Sequence, residues 1–103
     1  MIPVDLKQAR AVHSALDEIF ASHPKGRLDP AAVSNVQALC RAAESAVPDP
    51  DCRRALRNIE SYTELLSSRE PTLRGPDFVR LRVQNALASF RSKLNWIEAA
   101  QPG

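Results

Sequence analysis

Arg53, Arg54 and Arg57 crowd the start of one amphipathic segment, and the chemistry they offer is recognition. The positive end of the helix dipole lies at such a start, so three cations there are disfavoured. Asp49 and Asp51 offset part of that cost. If the following segment packs antiparallel, it brings Arg91, Lys93 and Trp96 to the same end. Arginine and tryptophan are over-represented at interaction hot spots, which makes this grouping the candidate partner-binding patch. The plainer alternative is a solvated face in which Arg57 pairs with Glu60, three residues on. A second, weaker strip runs along the last segment: Phe78, Leu81, Asn85, Ser89 and Trp96 fall well off its main apolar stripe. Such a strip either packs beneath a loop or takes a partner, a second copy of the chain included.

His13 and Asp17 stand one helical turn apart and could share a metal, but a site needs two or more further ligands. The Glu-x-x-His pairs of di-iron bundles are missing. Cys40 and Cys52 form no C-x-x-C, and both fall on core faces of adjoining segments. Cys40 lies roughly 10 Å down its helix axis from the link, whereas Cys52 lies almost at the link. That mismatch exceeds what a disulfide comfortably bridges, so two buried free thiols are expected. No Gly-rich phosphate loop, no nucleophile–base pair and no carboxylate pair in apolar surroundings is present. No catalytic residue, metal or cofactor is assigned, and an enzyme is not expected.

Histidine phosphotransfer domains suggest one sharper use of a histidine. They are four-helix bundles with an exposed histidine on a helix, followed closely by Lys and Gly. Here His13 is followed by Ser14-Ala15-Leu16-Asp17, which has neither. His23-Pro24-Lys25-Gly26 has the residue types but wraps them around a proline. Phosphotransfer through His13 or His23 is therefore the third reading, behind two kinds of binding.

The elements that must position these residues are marked by proline and aspartate. Leu28-Asp29-Pro30, Pro48-Asp49-Pro50 and Gly75-Pro76-Asp77 each precede a run with apolar residues three and four apart. An Asp cap accepts from the first free amides, and Pro at the first helical position loses only an N–H that would be an orphan. Four helices follow, at about residues 5–22, 30–47, 50–68 and 76–99. Asp5 and Gln8 read as a capping box for the first, and Leu28 with Val33 as a hydrophobic staple for the second. The stripes are Leu6, Ala9, Val12, Leu16, Ile19 and Phe20; then Val33, Val36, Leu39, Cys40, Ala43 and Val47. The third segment adds Cys52, Ala55, Leu56, Ile59, Tyr62, Leu65 and Leu66, and the fourth Val79, Val83, Ala86, Leu87, Phe90, Leu94 and Ile97. Lys7, Arg10, Ser14, Asp17 and Glu18 are expected to face away from the core.

So short a link as Pro48-Asp49 forces a helical hairpin. The fold expected is all-α, an up-and-down antiparallel four-helix bundle in one domain. Its rival is three long helices with the first segment laid across them.

The bulk composition suits that object. The 103 residues are 44% hydrophobic and 25% charged, with only three glycines, which argues against disorder and against an all-β fold. The net charge of +2 is too small to demand a polyanionic partner. No apolar run approaches the ~18 residues of a membrane span, and the first residues lack the pattern of a signal peptide. A cytoplasmic setting is the expectation. Eleven arginines against three lysines, with many alanines, suit a GC-rich bacterial or phage genome. The function expected is a regulatory protein-interaction module (an adaptor, inhibitor or secretion-type chaperone) binding through the last helix and the basic end of the third. Its partner is another protein, one with an acidic surface in the simplest case. The second reading is a nucleic-acid-associated regulator using the same basic end.

Overall fold

Aspartate side chains start three of the helices: Asp29 and Asp49 each stand just before a proline, and Asp5 just before the first apolar stripe. A computed structural model of the chain describes residues 4–22, 28–67 and 75–100. They form α1 (Leu6–Ser22), α2 (Pro30–Ala46), α3 (Pro50–Ser67) and α4 (Gly75–Ala100). Asp5 Oδ1 accepts from the Gln8 amide at 3.0 Å, and Asp29 Oδ1 from that of Ala32 at 2.7 Å. Asp49 Oδ2 accepts from Asp51 and Cys52 at 2.9 and 3.1 Å. These bonds satisfy amides that no helical carbonyl can reach. The expected boundaries agree to within one residue wherever both are described. The breaks expected at 23–28 and 69–75, with His23, lie largely outside the described residues.

The capping box of α1 is only half formed. Gln8 does not reach back to the Asp5 amide; that amide donates instead to the Ala46 carbonyl at 2.9 Å. A bond expected to be local is thus spent on tying the start of α1 to the end of α2. Other ties have the same character. Arg10 reaches Asn95 at 3.0 Å and pairs with Glu98, which joins the first half of α1 to the end of α4. Arg10, expected to face away from the core, does lie at the surface, its side chain 39% exposed, and from there it reaches across to α4.

The four helices pack as a ring. α1 lies against α2 and α4, and α3 against α2 and α4. α1 is therefore a full member of the bundle and is not laid across the other three. Extents of 48 × 23 × 20 Å are those of helices lying side by side along one axis. α4, with 26 residues, is about 39 Å long by itself. Its last residues, Glu98, Ala99 and Ala100, are exposed.

The core follows the stripes, with one exchange on α3. Leu16, Val36, Leu56, Ile59, Val83, Phe90 and Leu94 are fully buried together. Leu65, expected inside, is exposed at 44%, and Thr63 is buried in its place. Thr63 can be buried because its Oγ1 donates to the Ile59 carbonyl at 2.6 Å, so no polar atom is stranded. A reading by hydrophobicity alone passes over such a threonine.

Asp49 has a second role. Its Oδ2 caps α3 while its Oδ1 lies 3.7 Å from Lys93 Nζ on α4. Asp49→Ala should cost about 1–2 kcal/mol of stability in chemical denaturation, the upper range for a lost cap. Asp49→Asn keeps a capping acceptor and should recover most of that loss. An Asn variant as unstable as the Ala variant would place the main contribution in the charge facing Lys93.

Candidate functional site

Lys93 organises one end of the bundle. Its ammonium donates to Asp51 Oδ2 at 3.1 Å and stands 4.3 Å from the centroid of the Trp96 ring. The hydrogen bond to Asp51 is the main cause holding it protonated above the usual lysine range; desolvation opposes, and the charges of Asp49 and Asp51 assist. Asp51, Lys93 and Trp96 line a cleft of about 530 Å³ with Ala88, Ser89 and Ser92. Trp96 itself is 63% exposed. The ring is thus held from one side by a cation and presents its other surface outward.

The other arginines of the expected patch are dispersed around the ring of helices. Arg53 turns towards α2, where its Nε lies 2.9 Å from Glu44 Oε1; Arg57 Nη2 lies 3.8 Å from the same atom. The pairing of Arg57 is therefore across helices with Glu44, and not with Glu60 as in the solvated-face alternative. Arg54 is exposed and pairs with no acid among the described residues. Arg91 lies on the opposite flank of α4 from Lys93, lining clefts between α1 and α4 of about 460 and 600 Å³ with His13 and Asp17. Lys93 and Trp96 are thus brought together at the start of α3, Arg53 and Arg57 face the α2 seam, and Arg91 faces the α1 seam.

The far end of α4 carries the remaining expected residues. Leu81 is 53% exposed, and Phe78 is half-buried beneath the Arg82 guanidinium, 5.0 Å from its ring centroid. Leu65 was assigned to the core by its heptad position, so nothing in the sequence marked it as a surface group. Each aromatic end of α4 therefore has a cation laid over it, Arg82 on Phe78 and Lys93 on Trp96.

No protein-family model matches the chain, and no curated protein or solved structure matches it. Its reading rests on these side chains alone.

His13 is half-buried, its ring 6.1 Å from that of Phe90 at 40°. Among the described residues no group of three or more His, Cys, Asp or Glu side chains gathers in a metal-binding cluster. No helix among them is long and apolar enough to cross a membrane.

Cys40 and Cys52 are free and buried. Burial pushes the Cys40 thiol up to about 12, with the charges of Glu60 and Glu44 adding to it. Burial, then the charge of Asp49, pushes Cys52 up to about 11. Neither thiol is poised as a nucleophile, because the thiolate is the reactive form. Thiol titration should count none in the native protein at neutral pH and two after unfolding without reductant; a count of zero in an unfolded monomer would mean the cysteines are joined.

The same thiols set an alkaline limit. Unfolded, each ionises near the ordinary value of 9.0, while the native state keeps its protons. Above that pH the unfolded chain binds fewer protons, so stability falls as pH rises from about 9 towards 12. Denaturation midpoints across this window should fall more steeply for the wild type than for Cys40→Ala.

Proposed function

We propose that this chain is a small non-enzymatic helical module that binds another protein through α4 and the adjoining part of α3. The observation that carries the reading is the placement of exposed apolar groups. Leu65, Leu81 and Trp96 are the exposed large hydrophobics among the described residues, and all of them lie on α3 or α4. Leu65 and Leu81 stand towards one end of the α3–α4 side and Trp96 at the other, and a partner laid along that side would cover all of them. An adaptor, an inhibitor and a secretion-type chaperone all work by presenting such a preformed helical surface, here in the cytoplasm of a bacterium or a phage-infected cell.

Binding of nucleic acid by the same basic end is the second reading. Against it, Arg53 and Arg57 already face Glu44, and Lys93 faces Asp49 and Asp51. Carboxylates so placed compete with phosphates for those cations. Salt separates the two, since affinity for nucleic acid falls steeply and log-linearly with salt as counterions are released. Phosphotransfer through His13 or His23 is checked by assay for an acid-labile phosphoramidate.

Site-directed photo-crosslinking in the native host tests the main reading. A photoreactive phenylalanine analogue at Leu81 or Trp96 should capture a discrete protein, and the same group at the exposed Ser34 on α2 should not. Equal capture from both faces, or none from α4, would send the search to another surface.

A further inference from the structure

The charge carried along α4 is of one sign, though its cations fall on two flanks, Arg82 and Lys93 on the side of Phe78 and α3 and Arg91 towards α1. Between Asp77 and Glu98 the helix carries Arg80, Arg82, Arg91 and Lys93 and no acidic residue. Lys93 is taken up by Asp51 and Asp49. Arg82 lies over Phe78 and, like Arg54 on α3, has no acidic partner among the described residues. A second copy of the chain laid on this face would set arginine against arginine, and like charges across an interface suppress binding. The charges left over call for carboxylates.

The tie between Lys93 and Asp51 also sets the level of the two helices. Counting 14 residues on from Asp51 reaches Leu65, and counting 14 back from Lys93 reaches Val79, beside Phe78 and Leu81. One end of the α3–α4 face is thus apolar. At the other end Trp96 walls a cleft of about 530 Å³, floored by Ala88, Ser89 and Ser92. Phe78 and Trp96 stand 18 positions apart, about 27 Å or five helical turns. Asn85 and Ser89 between them are exposed and short, leaving room for another helix to lie close.

We infer that this face takes an acidic amphipathic helix of about five turns. Its apolar side chains seat on Leu65, Phe78 and Leu81 at one end and in the Trp96 cleft at the other, and its carboxylates meet Arg54 and Arg82. The inference rests on the protein-binding reading above and adds the chemistry of the partner.

Trp96 is the sole tryptophan of the chain, so its fluorescence reports occupancy directly. The probes are two Trp-free helical peptides of about 20 residues, long enough for the face. Both carry leucines along one stripe; the flanks are glutamate in one and lysine in the other. The glutamate peptide should shift Trp96 emission to the blue saturably, and the lysine peptide should bind at least about tenfold more weakly. Arg54→Glu and Arg82→Glu should each weaken the glutamate peptide, and the double variant should favour the lysine peptide. Arg41→Glu, at an exposed position on α2, should change neither. Circular dichroism melts confirm that each variant is folded.

Absence of a saturable shift with the glutamate peptide, equal binding of the two peptides, or indifference to charge reversal would each overturn the inference. If crosslinks from Leu81 and Trp96 persist under those outcomes, the face binds a protein of other chemistry. If they vanish too, the protein-binding reading falls with it. A concentration-dependent dimer with Trp96 shielded would also overturn it, in favour of self-association.

Discussion

Phe90→Ala should destabilise the protein by about 3–5 kcal/mol, the range for truncating a buried phenylalanine. The side chain is 0% exposed and lies midway along the stripe of α4, among the largest fully buried groups of the core. Its ring also meets that of His13 on α1, so truncation opens a void facing two helices. A domain of this size has about 5–15 kcal/mol of net stability, so the loss removes a large share of it. Urea denaturation with a two-state fit measures the effect, and Phe90→Leu should lose much less because it keeps most of the volume. A loss under about 1 kcal/mol for the alanine variant would show that the site collapses around the missing ring.

Trp96→Ala is expected to act in the opposite way, with little effect on the fold and a large one on binding. At 63% exposure the indole contributes little to the core, and Phe90, Leu94 and the partly buried Ile97 keep their packing without it. Surface substitutions change stability by under about 0.5 kcal/mol, whereas loss of a hot-spot tryptophan or arginine costs about 2 kcal/mol or more of binding. Arg54→Glu should behave alike: the exposed guanidinium has no acidic partner among the described residues to lose. A negative charge near the start of α3 is mildly favourable to the helix. Melting temperature and partner affinity of each variant beside wild type make the comparison. Normal binding by both variants would leave the Trp96 end a solvated surface.

The candidate site was legible in part. Trp96, Leu81 and Phe78 stand out because they fall off the α4 stripe, and periodicity along a single helix reveals that. Leu65 did not stand out, because a leucine at a heptad position reads as core; only its 44% exposure in the folded bundle shows otherwise. The arginine cluster read as one patch because three guanidiniums are close in sequence. In the fold, residues 53 and 57 lean towards Glu44 while Arg54, between them, does not. Successive helical residues point about 100° apart, so neighbours in a run of arginines belong to different seams.

Local rules determined the helices of this protein. An aspartate followed by proline satisfies free amides within three residues, and apolar spacing of three and four makes a face that only burial can stabilise. Both act over a single turn, so the chain's order of residues is enough to place them. The tertiary structure decided which charge meets which. The Asp5 amide goes to Ala46 and not to Gln8, Arg57 to Glu44 and not to Glu60, and Lys93 to Asp51 beneath Trp96. Those pairings depend on the level and rotation of one helix against the next. Packing of the whole core sets both, and hydrogen bonds and ion pairs then form with whichever partners it has brought within reach.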